Sequence, residues 1–219
     1  MNQFNPDGLE KNGWVVVEGI FSTADFVDLA STLGEIVQGP NGERVKTLRV
    51  IESSEAPKGT FSETYGKGSF PYHTDTAFLD VPVRFVALRT ISGDFRRPTH
   101  LLAFSDFFKT ALGKSCAGIE DSTWILSTGS STRYCRMGFR KSGRLGFRYD
   151  PNCMKAVGTF ALRVDTPLRA AAHSLQAQRI DWSPGKVVVI DNWKCLHARG
   201  VPPEDETGRV LERIYINQI

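Results

Sequence analysis

In "GRVLERIYI", residues 208–216, apolar and charged side chains alternate around β-branched and aromatic positions, the pattern of a strand with two unlike faces. Arg209, Leu211, Arg213 and Tyr215 fall on one face, and Val210, Glu212 and Ile214 on the other. A guanidinium stays charged at any ordinary pH, and burying it unpaired is very costly. Two arginines on one face of a core-like strand therefore call for an anion in front of them. A small dicarboxylate would meet one of them bidentately.

Upstream, "KVVVIDNWKCLHARG" (186–200) is an apolar strand, Lys186 to Ile190, that breaks at Asp191-Asn192 and is followed by His197. Further back, "FPYHTDTAF" (70–78) holds His73 and Asp75 two residues apart, so both point to the same side of an extended segment. Two imidazoles and one carboxylate form the facial set that holds a ferrous ion with three positions open. Zinc accepts the same donors with one open position, so the donors alone do not select the metal.

Around these segments the chain reads as mainly β. Short apolar runs at 45–51, 83–91, 124–127 and 186–190 are strand-like, as is 14–19. "YCRMGFRKSGRLGFRYD" alternates about a Lys141-Ser142-Gly143 turn and predicts a hairpin. Ser22 with Asp25 caps a helix predicted to run to about Ile36, and further helices are expected at 105–112 and 167–178. Few helices and many short strands suggest a β-barrel or sandwich core decorated by helices, in one domain spanning 1–219.

Of 219 residues 41% are hydrophobic, enough for a substantial core, and a net charge of +3 is too weak to argue for a nucleic-acid or membrane partner. No run approaches a membrane span and the start lacks a signal-peptide pattern, so a cytoplasmic protein is expected. The four cysteines are widely spaced, which predicts reduced thiols. His100 and His173 are read as structural.

The order H-T-D, then a threonine in "RRPTHLLAFSDF", then "DNWKCLH" and "GRVLER", resembles the iron(II)- and 2-oxoglutarate-dependent dioxygenases of the taurine dioxygenase (TauD/TfdA) and clavaminate synthase-like group. The resemblance implies a double-stranded β-helix, the jelly-roll or cupin-like core, with flanking helices. It makes His73, Asp75 and His197 the iron ligands, Arg209 the partner of the distal carboxylate of 2-oxoglutarate, and Thr99 a second contact to it. Arg213 matches the family arginine near the substrate, and Arg148 is expected to add a second anion-binding group in the pocket. Fe(II), 2-oxoglutarate and O2 follow as cofactor and co-substrates. The implied reaction oxidises an unactivated C–H bond, most often to a hydroxyl, with desaturation and cyclisation as variants, and releases succinate and CO2.

The expected substrate is a small, polar, carboxylate-bearing molecule such as an amino acid or a natural-product intermediate. Because position 75 is Asp, halogenation is disfavoured. The chain is shorter than most of the group, which implies a more open or differently lidded pocket. A zinc hydrolase on the same three donors and a non-catalytic barrel binding a small acid are the rival readings. Homo-oligomerisation is left open. The basic hairpin, with Arg133, Arg136, Arg140, Lys141 and Arg144, is an exposed face that would suit an acidic carrier protein.

Overall fold

The computed structural model describes residues 7–39, 41–113, 117–170, 177–206 and 208–217. Its main sheet runs in the order β1 (Trp14–Val17), β12 (Val187–Asp191), β4 (Phe85–Gly93), β14 (Arg209–Asn217) and β2 (Glu35–Ile36), with β3 (Lys46–Arg49) also paired to β14. A second sheet runs β11 (Gln178–Ile180), β5 (Thr99–Ala103), β13 (Cys195–Arg199). Strands β10 (Met154–Ala156), β6 (Thr123–Ser127) and β7 (Thr132–Arg136) form a third. The pairings are antiparallel throughout.

Three apolar clusters set the layers. Between the first two sheets, Val86, Leu88, Val188 and Ile190 meet Leu101, Ile180 and Cys195. On the other face of the main sheet, Ala87, Val187 and Val189 meet Phe26 and Ala30 of α2 (Thr23–Ser31) and Leu9 of α1 (Asp7–Asn12). This explains the unbroken run Val187 to Ile190: the strand is covered on both sides, and burying each such side chain contributes about 1.5–3 kcal/mol. Behind the second sheet, Leu102, Leu196 and Ala198 pack on Phe104, Trp124 and Tyr149 and on Val164 and Leu168 of α5 (Gly158–Ala170). The result is the jelly-roll core with flanking helices that the resemblance implied.

The hairpin forms as expected. Strands β8 (Gly138–Lys141) and β9 (Arg144–Phe147) close through Ser142 and Gly143, both at positive φ as a two-residue hairpin turn requires. Arg133 and Arg136 on the adjacent β7 are already paired, with Asp80 and Asp121.

Two helices differ from expectation. Helix α2 has the expected Ser22 cap, whose Oγ accepts from the Asp25 amide at 3.0 Å, but it ends at Ser31. Glu35 and Ile36 instead pair with the end of β14, a tertiary contact that local pattern does not show. The third helix covers 158–170, beginning nine residues before Pro167, its predicted start. Ala161, Val164, Asp165 and Leu168 are its buried face, at helical spacing, and Pro167 is tolerated within its final turns. Gln178, expected at the helix end, begins strand β11, and His173 lies outside the described residues. The helix at 105–112 is α4 (Phe104–Phe107) continued by a π turn, Phe108–Leu112, which lets Phe104, Phe107 and Phe108 all reach the core.

Cys135, Cys153 and Cys195 are free, and Cys116 lies outside the described residues. No helix among the described residues is long and apolar enough to cross a membrane.

Candidate metal centre and its cavity

Backbone pairing brings the two ends of the motif together. His73 and His197 form an isolated antiparallel bridge, each amide donating to the other's carbonyl at 3.0 and 2.9 Å. Their imidazole centroids are 4.2 Å apart. Asp75 Oδ1 lies 3.6 Å from His73 Nε2 and 3.7 Å from His197 Nε2. All three side chains are buried, and they form the group of nitrogen and carboxylate donors suited to a metal ion among the described residues.

Several contacts orient these donors. His73 Nδ1 lies 2.9 Å from the Pro71 carbonyl, which can only accept, so Nδ1 carries the proton and Nε2 offers its lone pair. Phe61 lies against the His73 ring at 4.2 Å. The Asp75 backbone is held by Asn192, whose Oδ1 accepts from the Asp75 amide at 2.8 Å and whose Nδ2 donates to the Asp75 and Val83 carbonyls. The segment is not a continued strand, as the alternation suggested. It turns immediately after Asp75, where Thr76 takes φ +55°, an unusual conformation for a β-branched residue, and its Oγ1 accepts from the Val83 amide at 2.9 Å.

Electrostatics suit a cation. Burial alone would raise the Asp75 carboxyl, but Arg213 and the two imidazoles outweigh it and hold it well below the usual carboxylate range. Burial, with the neighbouring His73, lowers His197, so its imidazole stays neutral and able to ligate.

The strand-face arithmetic for β14 matches the structure. Arg209, Leu211, Arg213 and Tyr215 line a cavity of about 1160 Å³ that also contains the three donors. Glu212 points the other way, to Arg89. Gly93 makes the entry to β14 tight: at φ +90° it lies so close that a Cβ there would sit 2.0 Å from the Gly208 carbonyl oxygen. Among the described residues Arg209 makes one hydrogen bond to protein, from NH1 to the Arg97 carbonyl at 2.8 Å. Burial and the Arg97 charge lower it to about 10. Arg213 donates to Asp75 Oδ2 at 3.2 Å and lies over the Tyr215 ring.

Two expected residues sit elsewhere. Thr99 faces inward opposite Arg199 on β13, but it does not line the cavity, and its hydroxyl accepts from Trp182 Nε1 at 3.1 Å. Arg148 turns away from the cavity. Its guanidinium donates to the carbonyls of Ala77, Leu79 and Asp80 and stacks on Phe139, so it clamps the loop after Asp75 instead of facing a ligand. Backbone acceptors satisfy that charge, a solution that side-chain alternation does not reveal.

Sequence reasoning missed Asn192, Arg199 and Asp150. Asn192 stood inside the quoted "DNW", and a buried asparagine at the end of an apolar strand is itself a signal of backbone bonding. Asp150 lines the cavity, with Oδ1 accepting from the Asn152 amide at 2.8 Å. Burial raises its carboxyl from the ordinary value.

No family model matches the sequence. The L-lysine 3-hydroxylase of Catenulispora acidiphila is 24% identical over 168 residues, covering 66% of this chain and 44% of the hydroxylase. The chain thus spans less than half the length of that relative. The crystal structure of the non-heme iron oxygenase OrfP with Fe and alpha-ketoglutaric acid superposes with a TM-score of 0.70 at 18% identity, over 95% of this chain and 75% of that one. Asparagine oxygenase, in complex with Fe(II), 3-hydroxyasparagine and succinate, gives 0.73 at 17%, over 96% and 77%. PvcB of Pseudomonas aeruginosa gives 0.67 at 16%, over 95% and 77%. These likenesses establish the fold as that of non-heme iron oxygenases.

Proposed function

We propose that this chain is an Fe(II)- and 2-oxoglutarate-dependent oxygenase of the taurine dioxygenase and clavaminate synthase-like group, hydroxylating an unactivated C–H bond of an amino acid. The observation that carries this is the buried His73–Asp75–His197 cluster in one cavity with Arg209, a guanidinium whose Nε and NH2 have no protein partner among the described residues. A zinc hydrolase would use the same donors and leave that guanidinium without a task.

The donors present fit iron: two imidazole nitrogens and one carboxylate oxygen, all buried. Held by His73, Asp75 and His197, ferrous iron with 2-oxoglutarate and O2 supplies oxidation of a C–H bond to C–OH, coupled to decarboxylation of the keto acid to succinate and CO2. The chain's own work is to bind, orient and exclude water. Arg209 takes the distal carboxylate of the keto acid, and Leu88, Leu211, Phe61 and Phe70 make the wall apolar. Arg213, whose NH2 and Nε are not used by Asp75, takes the substrate carboxylate.

Asp150 supplies the opposite charge. Its carboxylate and the hydroxyl-rich turn Ser127–Ser130 line the same cavity and suit an ammonium or guanidinium group. Lysine and hydroxyarginine are named with two of the similar proteins, which supports a cationic amino acid. Asp150→Asn is expected to lower the preference for lysine or arginine over norleucine by about tenfold or more, since hydrogen bonds to charged groups are worth roughly 1.5–3 kcal/mol. Competition assays of hydroxylated product check this, and 2-oxoglutarate binding should be unchanged.

The central test is anaerobic addition of Fe(II) and 2-oxoglutarate to the purified protein. A weak visible charge-transfer band is expected, weakened in Arg209→Ala, followed in air by succinate formation. No band and no succinate would sink the oxygenase reading and favour a non-catalytic barrel.

A further inference from the structure

We infer that Arg199, and not Thr99, is the second protein group on the distal carboxylate of 2-oxoglutarate, paired with Arg209. This rests on the oxygenase reading above and adds to it a residue that reading does not assign.

Position comes first. Arg199 is two residues beyond His197 on β13, so its side chain emerges on the same face as that ligand. Arg199 and Arg209 both line the cavity, whereas Thr99, directly across from Arg199 in the sheet, does not. Opposed residues share a face of the sheet, so both side chains leave toward the same side, and the long Arg199 side chain, not the short Thr99 hydroxyl, reaches the cavity wall.

Charge comes second. Arg97, Arg199 and Arg209 lie close enough for the repulsion of Arg97 and Arg209 to act on Arg199. The carboxylate among them is Glu206, which Arg97 already holds at 2.5 Å, and Asp94 nearby is bound by Arg96. Arg199 and Arg209 thus have no carboxylate of their own among the described residues. Two adjacent guanidinium groups at one wall of a cavity are uncomfortable until an anion separates them.

Donor geometry comes third. Arg199 spends Nε and NH2 on the carbonyls of Gly68 and Gly66 and stacks on Phe70, its carbon Cζ 3.4 Å from the ring centroid. These contacts fix the plane of the group. Its NH1 has no protein partner among the described residues. Arg209 keeps Nε and NH2 unengaged as well. A carboxylate with two oxygens can accept from both arginines at once, each bond charge-assisted.

The experiment compares two keto acids on anaerobic Fe(II)-loaded protein: 2-oxoglutarate, and 2-oxobutyrate, which lacks the distal carboxylate. The visible band is followed in both titrations. Arg199→Met is expected to weaken 2-oxoglutarate about tenfold or more, the worth of a charge-assisted hydrogen bond, and to leave 2-oxobutyrate within about threefold. Arg199→Lys, which keeps the charge, should fall between wild type and Arg199→Met, and Thr99→Val should leave both acids within about threefold. Equal weakening of both acids in the Met and Lys variants would overturn the inference, because Arg199 would then act only by holding the Gly66 and Gly68 carbonyls. A larger loss of 2-oxoglutarate in Thr99→Val than in Arg199→Met would also overturn it. A wild-type protein that gives no band with either acid overturns the oxygenase reading itself, a result distinct from these.

Discussion

Asp75→Ala is expected to lower 2-oxoglutarate-dependent turnover by roughly a thousandfold or more, about 4 kcal/mol of barrier. The loss exceeds that of one donor among three. Asp75 Oδ1 lies between both imidazole Nε2 atoms, and Oδ2 holds the Arg213 guanidinium at 3.2 Å. Without the carboxylate, Arg213 becomes an uncompensated cation beside the place where a metal cation must bind. Asp75→Asn separates the two effects: it keeps the shape and an oxygen donor but removes the charge, so metal binding should fall while the backbone bonds to Asn192 survive. Metal content after dialysis and product formation are the measurements. Near-wild-type turnover in Asp75→Ala would remove the three-donor site from consideration. Circular dichroism should stay native, because Asn192 and Thr76 hold the turn through backbone bonds independent of the carboxylate.

The parts of this site that were legible in the sequence are those governed by local alternation. The face of β14 that carries Arg209 and Arg213 follows from a period of two, and it lines the cavity as that period requires. His73 and His197 could be paired only through a resemblance, since 124 positions separate them and their backbone bridge is a tertiary event. Thr99 and Arg148 show the limit of the method. Neither lines the cavity, and each meets a partner that sequence spacing does not contain: the indole of Trp182, which donates to the Thr99 hydroxyl, and three loop carbonyls that accept from Arg148. Asp150 and Arg199 were passed over for the converse reason. Nothing in "GFRYD" or "HARG" marks which charged residue will line the cavity. The helix boundaries failed similarly, because β14 recruits Glu35 and Ile36 and the core accepts a proline within α5.

Glu212→Leu is expected to destabilise the fold by about 3–5 kcal/mol, the usual consequence of stranding one partner of a buried ion pair. For a chain of this size that corresponds to a fall in Tm of roughly 10 °C or more. Arg89 and Glu212 face each other across β4 and β14, both buried, with Arg89 Nε and NH2 3.0 and 2.5 Å from Glu212 Oε2. The remaining donors and acceptors are also used. Thr23 Oγ1 donates to Glu212 Oε1, and Arg89 NH1 reaches the Phe21 carbonyl, tying the start of α2 to the sheet. A satisfied network of this kind resists the loss of either member far more than the loss of both. Arg89→Leu alone should therefore cost a similar amount, and the double variant should recover part of it, a non-additivity that thermal melts of the four proteins measure directly. Glu212 points away from the cavity, so 2-oxoglutarate binding measured well below the transition should stay within about threefold, less than one charge-assisted bond. A large loss of binding with an unchanged Tm would mean that the two faces of β14 are not divided between support and site as the structure divides them.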